Sequence, residues 1–408
     1  MISGKKLEDF AHLVLKFGVN LQKGQPLELA CPVDKREVAH AFTKKAYELG
    51  SKLVHVRWED EVVDKLNFEL ADENTLSVVP KWLIESKNHL VDEGYCYVAI
   101  SAEDPSLFKD IPADKLAKIS KARSKALKKF SDQVMANALR WCVISVPTKS
   151  WADIVFDGDA NSVEKLSNAI ERAMRLDCDN PVKEWEKHIE SLNKHAKFLN
   201  EQDFSCLHFT SSNGTDLKVG LAENHVWLSA EETAKDGVSF VANMPTEEVF
   251  TAPHYRKVDG VVKSALPLSF NGQIIDDFAL TFKKGEIIDF SAKVGYETLK
   301  GIIETDSGTK RIGEVALIGK NSPIAKSGIL FYNTLFDENA SCHLALGKAY
   351  PTTIKDGEKL TKTELKKLGA NDSIEHVDFM IGSPDMKIVG IKKNGDGVLI
   401  FYDGDWAI

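Results

Sequence analysis

The chain has 408 residues, 43% of them hydrophobic and 28% charged, the composition of an ordinary folded protein long enough for two separately cored domains. Its formal net charge of −9 opposes binding to phosphate backbones, so nucleic acid is not an expected partner. No window offers eighteen consecutive apolar residues, the six cysteines are scattered without a CxxC pair, and the Met-Ile-Ser-Gly-Lys-Lys start lacks a signal-length apolar run; a reducing cytoplasm and no membrane contact are expected.

Lys5 to Phe17 places Leu7, Phe10, Ala11, Leu13, Val14 and Phe17 at helical spacing, and Gly18 supplies a stop. Pro26 to Cys31 reads as a short strand, Asp34 as the cap of a helix over Val38, Ala39, Ala41, Phe42 and Ala46, and Lys52 to Arg57 as the next strand. The alternation continues through a helix from Leu76 to Leu90, a strand from Tyr95 to Ser101, a helix from Asp114 to about Leu139 and a strand from Trp141 to Val146. This rhythm predicts a doubly wound α/β domain with a mostly parallel sheet covered on both faces.

None of the early strands is followed by GxGxxG or GxxxxGKS, which argues against a nucleotide site. The basic run from Lys115 to Lys129 is interleaved with Leu116, Ile119 and Leu127 and reads as the solvated face of an amphipathic helix. His188 and His195, in a helix-rich connection, have no carboxylate beside them and read as ordinary helix positions. A domain boundary is expected near residue 200, giving an α/β domain over 1–200 and a strand-rich α+β domain over 201–408.

Short strands follow: Cys206 to Thr210, an Asn213-Gly214 turn, Asp216 to Leu221, Gly260 to Ala265, Ile274 to Phe282, Ile287 to Lys293 and Val398 to Tyr402. Two helices are expected in this half, one from Gly295 to Ile303 and one capped by Asn339 over Cys342 to Gly347.

The chemistry gathers late in the chain. Glu338, His343 and Tyr350 fall within fifteen residues, ahead of His376-Val377-Asp378. Imidazole, carboxylate and phenolate oxygen suit a borderline divalent ion such as Zn, Co or Mn, and the scarcity of nearby thiols argues against a structural zinc site. His376 and Asp378 share one face of an alternating strand and can reach one site. Glu314, on a strand, points with Ala316 and Ile318; a carboxylate there pairs with a cation, sits at an edge or binds metal. Between Glu247 and Glu248 the pattern does not choose.

At this point the chain resembles the aminopeptidase T, aminopeptidase S and PepS group of metallopeptidases. The resemblance rests on Asn-Met-Pro-Thr-Glu-Glu-Val-Phe-Thr-Ala-Pro (243–253), Gly-Glu-Val-Ala-Leu (313–317), Phe-Asp-Glu-Asn-Ala-Ser-Cys-His-Leu-Ala-Leu-Gly (336–347), Ala-Tyr-Pro (349–351) and His-Val-Asp-Phe-Met-Ile-Gly (376–382). It implies that Glu248, rather than Glu247, binds metal together with Glu314, His343, Tyr350, His376 and Asp378, and that Glu338 is the acid/base or a further ligand. It also implies a two-domain subunit, a pair of divalent ions, and a homodimer whose active site opens into an internal cavity. His254 and Lys348 depart from the family pattern, which often has aspartate and a small residue there.

Six candidate ligands, three of them carboxylates, exceed one tetrahedral zinc and fit two ions sharing a carboxylate and a water, with Glu314 the expected bridge. The expected activity is hydrolysis of the N-terminal residue from peptides by a metal-activated water. The rival readings are a metal-dependent amidase on non-peptide amides and a metal-braced binding protein.

Overall fold

The computed structural model describes residues 2–408. The chain divides into two compact units, one gathering the segment up to Ile111, Ala122–Ile189 and Ala230–Thr246, the other Pro112–Lys121, Glu190–Ser229 and Glu247–Ile408.

In the first unit four parallel strands lie in the order Leu53–Glu59, Pro26–Pro32, Cys96–Ile100, Trp141–Ile144. The chain starts at an inner strand and winds outward first to one side and then to the other, which is the doubly wound α/β arrangement that the alternation predicted. Leu27, Leu29 and Ala30 are wholly buried, as both faces of an inner parallel strand require. Asp34 does not cap the helix Arg36–Glu48: Lys35 occupies that position without a side-chain bond. The helix expected over 76–90 is Lys81–Asp92, preceded by Glu61–Leu70 and Glu73–Leu76, because Pro80 sits at its N-cap and a proline ring is not accommodated inside a helix. Asp60 and Asp72 cap the two extra helices with their carboxylates.

The second unit is strand-rich. Its larger, nine-stranded sheet runs from Leu268–Phe270 through Gln273–Lys283, Pro253–Lys263, Asp216–Leu221, Phe204–Thr210, Lys387–Lys392 and Gly397–Tyr402 to Asp405–Trp406, with Glu286–Val294 also pairing Gln273–Lys283. A smaller antiparallel sheet has the order His376–Met380, His343–Gly347, Ile312–Leu317, Val249–Thr251.

One expectation fails here. Cys342 to Gly347 is no helix: His343–Gly347 is an inner strand whose five residues are all buried between two partners. Leu-Ala-Leu favours a helix weakly, and pairing on both edges outweighs that preference. Asn339 lies in the short 3-10 turn Glu338–Ala340. The strand-rich unit also holds more than two helices, namely Pro323–Ser327, Thr334–Asp337 and Lys362–Leu368 beside Tyr296–Ile303. These pieces are too short to show helical periodicity, but Thr361 and Glu364 form a reciprocal capping box that the sequence does display. No helix among the described residues is long and apolar enough to cross a membrane.

Candidate metal centre

The smaller sheet carries the site on one face. Its register sets Ala345 opposite both Glu314 and Asp378, His343 opposite Ala316, and Gly347 opposite His376. Side chains alternate along a strand, so Glu314, His343, His376 and Asp378 all project to the same side, with only methyls or hydrogen between them. Gly347 has φ +103°, and a Cβ there would meet the Glu375 carbonyl oxygen at 2.2 Å, so glycine lets the two strands approach. Cys342 alternates to the other face, where its thiol meets the Ile318 backbone and burial pushes its pKa up to about 11.

His343 Nε2 lies 3.2 Å from Glu248 Oε2, 3.4 Å from Glu314 Oε1 and 4.0 Å from Asp378 Oδ1. His376 Nε2 lies 3.3 Å from Asp378 Oδ1 and 3.8 Å from Glu314 Oε2. Two groups with metal-ligand spacing result, Glu248 with Glu314 and His343, and Glu314 with His376 and Asp378; Glu314 belongs to both. The Tyr350 ring stands 5.0 Å from that of His376, at the second group. Glu247 joins neither group.

Both imidazoles are oriented by backbone carbonyls. His343 Nδ1 donates to Glu338 O at 2.9 Å and His376 Nδ1 to Lys348 O at 2.7 Å. A carbonyl only accepts, so Nδ1 carries a proton and Nε2 is the nitrogen turned toward the carboxylates, the one a neutral ring would offer to a metal.

Electrostatics make the same point. Glu248, Glu314, Glu338, His343, His376 and Asp378 share a largely buried space. Burial pushes Glu314 up to about 6 despite the His343 hydrogen bond, and burial followed by the charges of Asp378 and Glu248 holds Glu338 well above the carboxylate range. Burial would lower both histidines, yet Glu248 and Glu314 raise His343 well above its ordinary value, and Asp378 and Glu314 raise His376 to about 9. Burial opposes ionisation of Asp378 too, and His376 nevertheless holds it low. Asp378 Oδ1 is buried, with His376 Nε2 facing it at 3.3 Å. Four carboxyl groups outnumber two imidazoles, and the surplus of buried carboxylate needs a cation. The donor set fits divalent metal.

Asn339 was legible only as a cap; the fold gives it another task. Its wholly buried side chain accepts the Glu247 N–H at 2.7 Å and donates to Leu335 O at 2.9 Å, tying the Glu247-Glu248 loop to the turn that carries Glu338. Asn339→Ala strands a buried N–H and is expected to lose about 1–3 kcal/mol of stability. Urea unfolding measures it, and an unchanged midpoint and slope would remove Asn339 from that role. His188 and His195 lie elsewhere, His188 on the Thr246 carbonyl and His195 stacked on Trp406.

The whole chain has relatives. A family model described as thermophilic metalloprotease (M29) matches residues 3–406. Aminopeptidase 2 of Geobacillus stearothermophilus is 43% identical over 405 residues, covering 99% of this chain and 98% of that protein. Aminopeptidase AmpS of Bacillus subtilis (strain 168) is 42% identical over 405 residues, with the same coverage of 99% and 98%. The solved structure of wild-type AmpT from Thermus thermophilus has a TM-score of 0.90 at 35% identity and covers 99% of both chains.

Proposed function

The chain belongs to the thermophilic metalloprotease (M29) family and is a metallo-aminopeptidase; from that premise we propose that it removes the first residue of peptides at a two-ion site. In this reading Glu248, Glu314 and His343 would hold one ion and Glu314, His376, Asp378 and Tyr350 the other, Glu314 being common to both groups. The observation that carries it is the split of one carboxylate, with Oε1 3.4 Å from His343 Nε2 and Oε2 3.8 Å from His376 Nε2. Such a pair, as Zn, Co or Mn, supplies Lewis acidity and lowers the pKa of a coordinated water toward about 7.

The protein's own groups do the rest. Glu338, buried beside Glu248 and Asp378, takes a proton from the nucleophile and returns it to the leaving amine, while the Glu338 carbonyl keeps His343 in its ligand tautomer. The substrate's free α-amine would meet this cluster of carboxylates, which confines cleavage to the first bond. Exhaustive chelation is expected to abolish aminoacyl anilide cleavage, Co, Zn or Mn to restore it, and acetylation of the substrate amine to block it. Full activity in a demonstrably metal-free sample would overturn the reading.

The same proposal places the enzyme in the cytoplasm as a homodimer. All six cysteines are free thiols, which suits a reducing compartment; cell fractionation tests the location. Glu61–Leu70 buries no residue, yet Val62, Val63, Leu66 and Leu70 on it are 46–80% exposed, and Trp82 nearby in sequence is 69% exposed. An apolar stripe of this kind supports a second copy as its cover. Sedimentation is expected to give twice the 45.3 kDa chain mass, and a monomer at all concentrations would refute the dimer.

A further inference from the structure

The second unit also carries a cleft of about 570 Å³ between the strand Pro253–Lys263 and the short helix Lys362–Leu368. Arg256, Lys362, Lys366 and Lys367 line it against one carboxylate, Asp372, which pairs with Lys362 at 3.6 Å. Arg256, Lys366 and Lys367 form no ion pair among the described residues, although the chain as a whole has a net charge of −9. These basic side chains are solvent-exposed, but all four border one open pocket of ligand size.

The walls are fixed to each other. Tyr255 N–H donates to Gly369 O at 2.9 Å, and Gly369, at φ +107°, packs so closely on His254 that a Cβ would meet the imidazole at 2.6 Å. Arg256, Arg311 and Lys366 stand 5.0, 5.6 and 5.7 Å from the Tyr255 ring centroid. Arg311 is committed to Glu286 at 2.8 Å, but the other two are not. His254 registers the local field: burial, then Lys257 and Arg256, lowers its pKa. Like charges held this close repel, and an anion between them relieves the repulsion.

We propose that this cleft binds a compact chain of linked phosphates. Three unpaired cations on two walls match about three adjacent negative charges, which a di- or triphosphate concentrates in one place. Peptide carboxylates are spaced by about 3.3–3.6 Å per residue along an extended chain, on alternating sides, and fill such a site less well. Lysines, which outnumber arginine here, bind phosphate as point charges. The buried Tyr255 ring is surrounded by cations and offers no platform for a base, so only the phosphate chain is read.

Calorimetric titration of the metal-loaded full-length protein with inorganic tripolyphosphate at low ionic strength tests this, with orthophosphate and ATP in parallel. One tripolyphosphate per chain is expected, matched by ATP, and weakened at least about tenfold in K366E/K367E. R256A, on the other wall, repeats the test should the double variant fail to fold. Retained peptidase activity reports an intact fold, and metal analysis after each titration accounts for ion stripping, which is common to wild type and variants. Undiminished binding by the variants, orthophosphate as tight as tripolyphosphate, binding confined to ATP, or no binding at all overturns the proposal.

Discussion

Glu314→Ala is expected to bind neither ion at native affinity and to lose detectable aminopeptidase activity. Glu314 is shared by both ligand groups and sends one oxygen toward each histidine, so its removal takes a donor from both positions at once. The stability of the variant separates lost coordination from lost folding. Burial pushes this carboxyl up to about 6, so at neutral pH it is still mostly ionised but carries a desolvation cost in the metal-free fold, and alanine relieves that cost. The metal-free variant should therefore melt no lower than metal-free wild type. Wild type gains about 2.7 kcal/mol when an ion is present at one hundred times its dissociation constant, and the variant should gain little. Glu248→Ala is expected to show a milder form of the same loss at one ion, and Glu247→Ala to keep both. Two ions per chain at native affinity in Glu314→Ala would refute the ligand assignment.

Glu338→Gln is expected to slow turnover about 10²–10⁴-fold with both ions retained, the range of a lost general acid/base. The substitution keeps the size and an acceptor for Asn339 Nδ2, which lies 3.4 Å from Glu338 Oε1, and leaves untouched the Glu338 carbonyl that orients His343. A loss confined to the chemical step lowers kcat with little change in substrate binding. Elemental analysis and single-turnover kinetics divide the possibilities: loss of one ion makes Glu338 a ligand, and near-normal turnover with both ions removes it from the mechanism.

What the sequence determined by itself was the inventory and the class. Alternation of apolar strands and amphipathic helices sufficed for the parallel α/β half, because each element's burial pattern is written in its own periodicity. Turn residues such as Asn213-Gly214 likewise marked the strand-rich half, and His376-Val377-Asp378 showed its shared face because a strand's alternation is local. The tertiary structure alone decided that His343–Gly347 is a strand, since the edges that hold it belong to Ile312–Leu317 and His376–Met380. It decided the register that sets Glu314 and Asp378 on either side of Ala345, and it turned Asn339 from a helix cap into the tie between Glu247 and the Glu338 turn. Each of these depends on pairing between segments distant in the chain, whereas periodicity reports only which way one segment faces, not what it will meet.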